Sequence, residues 1–337
     1  MAAPRPRPRL LLALPCAPDA PRGNATTAAR LAEELGRRGW EVETTDADAL
    51  AAAAPPGLIV VLHAARAAPQ VAAQAAAWGV PYVVLFTGTD LNGKPTPEAV
   101  AAVEGAAAAV ALGRGSARRA RELFPGARDA IQTIAQGLAP LPFQPGAAVP
   151  EALATLPEEA FLVLVPAGVR AVKDPLRAVD ALDSLHAERP ELRLLFLGPE
   201  LETETGVALR AACAQRDWAD WLDAVPRADL PPWLRRADLV LSTSRSEGGA
   251  PNSLLEAVLH GTPVLASSIP AHREFPGAAH CFRDDSELRR RLRATMDEPD
   301  PARMEVRKLQ EFARQAHSPN AEALAWDRLL RPLLASS

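Results

Sequence analysis

Cysteine is scarce. The 337 residues hold three, Cys16, Cys213 and Cys281. They lie far apart and are odd in number, which argues against a disulfide framework and against any paired metal-ligand spacing. The expected compartment is therefore reducing, the cytoplasm. The six histidines do not cluster either. A basic excess is also missing: 37 Lys and Arg stand against 41 Asp and Glu, a net charge of −4. Nucleic acid and anionic membrane are poor partners for such a surface. No apolar run approaches the ~20 residues of a membrane span, so stable membrane insertion is not expected. Arg5, Arg7 and Arg9 ahead of the apolar run 10–14 imitate a secretory leader. The run is short, Pro15 ends it, and a glycine-containing loop and a helical pattern follow, so it reads as a first buried strand. The loop after it lacks the G-x-G-x-x-G dinucleotide fingerprint. No Asp-x-Asp pair stands at a strand end; Asp284 and Asp285 are adjacent and precede a helix. Neither a cofactor nor a metal is expected.

What is present is alternation. Hydrophobic residues make up 48% and charged residues 23%, and the length suits two α/β domains. Apolar runs at 10–14, 58–62, 82–86, 108–112 and 130–134 and a strand at 41–44 are separated by helical patterns such as 24–38, 67–78 and 115–124. Residues 136–157 lose this periodicity and carry five prolines, as a linker would. Alternation then restarts: strands at 161–165, 192–197, 221–224, 239–242 and 263–266, with helices at 174–187, 201–216, 230–236 and 253–260. Helical patterns over 285–296 and 301–334 close the chain. Buried strands alternating with helices predict doubly wound parallel sheets, two Rossmann-like domains facing across a cleft.

Ligands of such sheets sit at the carboxyl ends of the strands. The loop 18–22 leads into Gly23 and Asn24, where a helix N-terminus suits an anion; Asn24 as a simple helix cap is the equal alternative. His63 follows the run 58–62, as a cleft residue or a structural one. Thr87, Gly88, Thr89 and Asp90 follow the next strand. Gly88 would let a ligand approach and Asp90 would accept from sugar hydroxyls, unless the segment is only an Asx turn. Arg170 and Lys173 open the second domain's first loop and suit a diphosphate, or are solvated surface charges. Residues 246–256 join a buried strand to a helix through a glycine-rich turn. N–H groups of Gly248 and Gly249 and the helix start at Asn252 and Ser253 would cradle an anion. Glu247 precedes the turn. Glu256 lies inside the helix, where Ser253-x-x-Glu256 also reads as a capping box.

These motifs resemble the family 4 retaining glycosyltransferases, over almost the full chain. The resemblance implies the GT-B fold, with an N-terminal Rossmann-like acceptor domain (1–145), a C-terminal sugar-nucleotide donor domain (158–305), and helices at 306–337 packing back toward the first. It implies that Arg170 and Lys173 grip the donor diphosphate, that Glu247 contacts the donor sugar and that Glu256 binds the ribose hydroxyls. Retention then proceeds by same-face attack guided by the leaving phosphate, with no enzymic nucleophile. Glu247, Asp90 and His63 are the residues expected nearest the chemistry. The expected partners are a nucleoside-diphosphate sugar, a UDP-sugar by preference, and an acceptor the sequence does not name. Two departures stand out. Eight residues separate Glu247 from Glu256, one more than the family's usual spacing, and Thr87 stands where many members have histidine. Residues 23–24, 62–64, 88–90 and 172–175 look most like the glycosyltransferase 1 domain-containing protein 1 type. Next comes the bacterial selenosugar synthase type, which joins a sugar from UDP-N-acetylglucosamine to selenophosphate. A sugar-nucleotide sensor without turnover is the alternative of another class. A pyridoxal-dependent phosphorylase would need a lysine in a context absent here.

Overall fold

The computed structural model describes residues 7–20, 23–143, 150–275 and 280–334. Arg5, the end of the loop 18–22 and Pro145 of the linker lie outside the described residues. The chain forms two units that divide between Gly137 and Leu138 and again between Gln315 and Ala316.

In the first unit six strands form one sheet: β1 (Arg9–Leu14), β2 (Glu41–Asp46), β3 (Leu58–Leu62), β4 (Tyr82–Phe86), β5 (Ala108–Ala111) and β6 (Ile131–Thr133). Their order is β2-β1-β3-β4-β5-β6 and every pair is parallel. Alternate side chains serve opposite faces. Leu11, Ala13, Ile59 and Val61 join one apolar cluster, while Leu10, Leu12, Leu58 and Val60 join the other. Helices α1 (Gly23–Arg37), α2 (Ala68–Trp78), α3 (Pro97–Glu104) and α4 (Arg114–Leu123) supply the layers. Burial on both faces is why β3 and β4 read as unbroken apolar runs.

The second unit holds α5 (Glu151–Ala154), β7 (Phe161–Pro166), α6 (Pro175–Glu188), β8 (Leu192–Leu197), α7 (Thr203–Ala214), β9 (Ala219–Leu222) and α8 (Pro231–Arg236). It continues with β10 (Leu239–Ser242), α9 (Asn252–His260), β11 (Val264–Ser267), β12 (Cys281–Phe282), α10 (Asp285–Asp297) and α11 (Pro299–Ala316). Its sheet runs β12-β11-β10-β7-β8-β9, again all parallel. Two expectations shift. The strand expected at 221–224 begins earlier, because Ala219 pairs with Leu194. The helix expected over 301–334 breaks after α11, since Pro319 disfavours helical backbone at Ser318.

The last helix, α12 (Pro319–Leu334), belongs to the first unit. Trp326 and Leu330 are fully buried in the cluster that contains Leu12. Trp40 Nε1 donates to Asp327 Oδ1 at 2.7 Å. Glu322 pairs with Arg30 and accepts the Gly137 N–H at 2.8 Å. His317 Nδ1 donates to Gln136 O at 2.9 Å. A Cβ on Gly137 would lie 2.5 Å from Pro319 Cα, so glycine is required at that contact. Among the described residues no helix is long and apolar enough to cross a membrane.

Candidate functional site

β7, β10 and β11 are adjacent in the second sheet, and the loops leaving their carboxyl ends are laced together. Arg245 N donates to Val172 O at 2.9 Å. Thr243 Oγ1 reaches Lys173 O and Asp174 O at 3.0 and 2.8 Å. The Arg245 guanidinium grips Asp174 through two bonds, at 2.9 and 2.8 Å. Ser267 Oγ, at the end of β11, donates to Ser244 O.

Within this frame Lys173 Nζ lies 2.5 Å from Glu247 Oε1, although 74 positions separate them in sequence. Ser244 Oγ donates to the same oxygen at 2.7 Å and sits 3.2 Å from Ser242 Oγ. Burial pushes the Glu247 carboxyl upward. The Lys173 ammonium, its hydrogen bond and that of Ser244 outweigh burial, so the net shift is downward and Glu247 is a carboxylate. The additional residue between the glutamates thus leaves Glu247 pointed at Lys173. Gly248 and Gly249 are buried rather than open to solvent.

Buried polar atoms without partners gather on the same loops: Arg170 Nε after β7, Asn252 Oδ1 at the start of α9, and His272 Nε2 after β11. His272 is fully buried, and its Nδ1 donates to Ser267 O at 2.7 Å. That bond leaves Nε2 as a bare acceptor. Burial lowers the ring's pKa to about 4, so it is neutral near pH 7.

Glu256 differs from its expected setting. α9 starts at Asn252 after Pro251, with no side-chain cap. Ser253 is therefore the second helical residue and the capping box does not form. The Glu256 carboxylate, 6% exposed, instead accepts from Arg227 Nε at 2.8 Å. Burial raises its pKa further than Arg227 lowers it. Arg227 was not anticipated; its only sequence signal is a place shortly after β9. Nor were Ser244 and His272, which carry no motif of their own.

In the first unit the polar residues at the ends of β3 and β4 meet one another. Asp90 Oδ1 accepts the N–H groups of Thr87 and Gly88 at 3.1 and 2.7 Å. Its Oδ2 accepts those of Ala64 and Thr87 at 2.9 and 3.2 Å. The backbone fills this carboxylate, so Asp90 fixes two loops rather than offering an oxygen to a sugar hydroxyl. His63, at φ 83°, accepts the Ala65 and Arg66 N–H groups on Nδ1 at 3.3 and 3.2 Å. Its Nε2 therefore carries the proton and faces Thr89 Oγ1 at 3.1 Å. Burial lowers its pKa against the opposing pull of Asp90. The exposed group of this loop is Thr89, held beside Gly88 at φ 116°. Gly23 and Asn24 are the first two residues of α1, so Asn24 lies inside the helix and does not cap it.

A parallel sheet whose strand ends gather Arg170, Lys173 and a helix N-terminus beside the half-buried Glu247 carboxylate is equipped to hold an anion next to a hydroxylated group. Residues 161–295 match the glycosyl transferases group 1 family. This group 1 segment runs from β7 into α10 and contains Arg170, Lys173, Glu247 and Glu256. Similarity also extends beyond it. Glycosyltransferase 1 domain-containing protein 1 of Xenopus tropicalis is 24% identical over 332 residues, covering 91% of this chain and 94% of that protein. D-inositol 3-phosphate glycosyltransferase of Streptomyces scabiei (strain 87.22) is 29% identical over 283 residues, covering 74% of this chain and 60% of that one. Among solved structures, sucrose-phosphate synthase from Thermosynechococcus elongatus superposes with a TM-score of 0.83 at 17% identity, covering 98% of this chain and all of that one. Anabaena HepE in complex with UDP-glucose gives 0.77 at 17% identity, covering 96% and 99%. Two six-stranded parallel sheets with flanking helices, shared with these structures, make the fold GT-B.

Proposed function

We propose that this chain is a retaining glycosyltransferase that moves a sugar from a nucleoside-diphosphate donor to an acceptor, with the donor in the second unit and the acceptor in the first. The observation that carries the reading is the Lys173–Glu247 pair, half-buried at adjacent strand ends inside the group 1 segment. In the reaction the bond from the sugar to the diphosphate breaks and negative charge grows on the leaving oxygen. Lys173, Arg170 and the N-terminus of α9 stabilise that charge in place, without reorganisation as it develops. Glu247 orients sugar hydroxyls, and Glu256, held by Arg227, takes the ribose hydroxyls. Gly88 and Thr89 form the sugar- or acceptor-facing loop, with Asp90 and His63 holding its shape. A UDP-sugar is favoured because HepE binds UDP-glucose on the same fold.

The test is release of nucleoside diphosphate from UDP-glucose, UDP-N-acetylglucosamine and GDP-sugars, with and without acceptor mixtures. Release from one donor that Lys173→Ala slows by roughly a hundredfold or more is the expected result. Tight nucleotide binding with no release from any donor would make the protein a sugar-nucleotide sensor and overturn the reading.

A further inference from the structure

A concavity lies at the other end of the same sheet, where β7, β10 and β11 begin. It encloses about 270 Å3 and is lined by Arg235 and Arg236 from the end of α8, His260 from the end of α9, Arg303 from α11 and the carboxylate of Asp238. Two of these charges are already committed to the fold. Asp238 Oδ2 accepts the Leu162 N–H at 2.8 Å and takes Arg236 at 3.4 Å. Arg236 also donates to Ala160 O at 3.1 Å.

The others are not. The Arg235 guanidinium lies over the Phe143 ring at 4.3 Å, and no carboxylate among the described residues pairs with it. Stacking on a ring holds the guanidinium plane while leaving its N–H edge free to donate. Among the described residues Arg303 pairs only with Asp300 on its own helix, at 3.4 Å, with both side chains largely exposed; such a pair contributes little. His260 Nε2 is buried without a partner.

Cations at helix carboxyl ends offset the helix dipole, which accounts for Arg235, Arg236 and His260. It does not account for Arg303, which enters the same cavity from the second turn of α11, away from any helix carboxyl end. Nor does it account for an orphaned ring nitrogen.

We propose that this cavity binds a small organic phosphate, a phosphate monoester whose oxygens are held between Arg235 and Arg303 and reached by His260. Arginine is suited to this because its planar fork matches two phosphate oxygens at once. A water takes roughly 30 Å3 of liquid, so the space admits a phosphate group together with several attached carbons. The site is separate from the strand ends that carry Lys173, and the inference does not depend on the reaction proposed there.

His260 provides a readout apart from activity. Burial and Arg235 both lower its pKa. The charged groups around the cavity are Arg235, Arg236, Asp238 and Arg303, so a bound dianion tips the balance and raises that pKa. The experiment titrates the full chain with inorganic phosphate and with glycerol 3-phosphate by calorimetry, and follows the His260 ring by NMR. It is repeated in Lys173→Ala, Arg235→Gln and Arg303→Gln, with circular dichroism confirming that each variant is folded. Binding should persist in Lys173→Ala and weaken roughly tenfold or more in each arginine variant, the loss expected for a charged hydrogen bond. Glycerol 3-phosphate should bind more tightly than phosphate, and the His260 titration should move to higher pH. Binding abolished by Lys173→Ala and indifferent to both arginines would overturn the proposal. So would the absence of saturable binding at millimolar ligand, or a His260 titration that does not move.

Discussion

The two sheets end in polar loops of similar composition, yet their hydrogen bonds are spent differently. In the first unit Asp90 is filled by backbone N–H groups and His63 has a partner at each ring nitrogen. In the second unit Arg170, Asn252 and His272 each keep a buried polar atom unmatched. Buried polar groups are nearly always satisfied, and each exception costs roughly 1–3 kcal/mol. A saturated cluster completes its role when the chain folds. An unsatisfied one leaves free energy that a ligand pairing with it would recover. One architecture thus yields a saturated loop frame in one unit and unpaired buried polar atoms in the other.

Lys173→Ala strikes this contrast hardest. Removing one preorganised cation from a developing charge should lower turnover by roughly a hundredfold to a thousandfold, about 3–4 kcal/mol. Wild-type turnover in this variant would erase the distinction between the units. Next comes acid. The His272 pKa of about 4 in the folded state lies below the 6.5 of the unfolded chain. Its neutral ring therefore contributes stability that is complete above pH 6.5 and is lost as pH falls through about 4. The loss is on the order of 3 kcal/mol, read as a falling denaturation midpoint. His272→Gln should flatten that slope, although His63, His260 and His280 are lowered as well and keep part of it.

Asp90→Asn sharpens the comparison from the other side. An amide turns a donor toward backbone donors, so urea unfolding should show a cost of about 2 kcal/mol while nucleotide affinity holds. Weaker nucleotide binding at unchanged stability would place Asp90 in the site instead of behind it. Smaller still, Glu256→Ala should weaken nucleotide binding by about 1–1.5 kcal/mol, the upper range of an ordinary net hydrogen bond, since Arg227 already holds one of its oxygens. Glu247→Gln should leave that affinity nearly intact and reduce turnover, the pattern of a contact made chiefly in the transition state. Last, excess EDTA should change nothing, because in the proposed reaction Arg170 and Lys173 supply the cationic charge. Activity lost to EDTA and restored by Mg²⁺ would contradict this.

The sheets were legible because period and burial speak through many residues at once: β3, β4 and β7 stand where unbroken apolar runs predict strands. Arg170, Lys173 and Glu247 were legible as strand-end polar residues. What the sequence hides is who partners whom. Lys173 and Glu247 meet only because β7 and β10 are neighbours in the sheet. Whether Asp90 faces a ligand depends on backbone N–H groups that every residue carries, so its saturation leaves no trace in composition. A one-residue shift in the start of α9 was enough to cancel the capping box at Ser253. Arg227 sits on a short turn with no periodicity to mark it.

The first unit is discontinuous, and this fixes an order of events on the ribosome. Its core lacks Trp326 and Leu330 until α12 has been made, and Gly137 has nothing to pack against until Pro319 arrives. The second unit is one uninterrupted stretch, Leu138–Gln315. It can close its core while the earlier-synthesised unit still waits for its final helix. Domains usually mature from the amino end as they emerge; here the half that is made first cannot complete its core until α12 has been made.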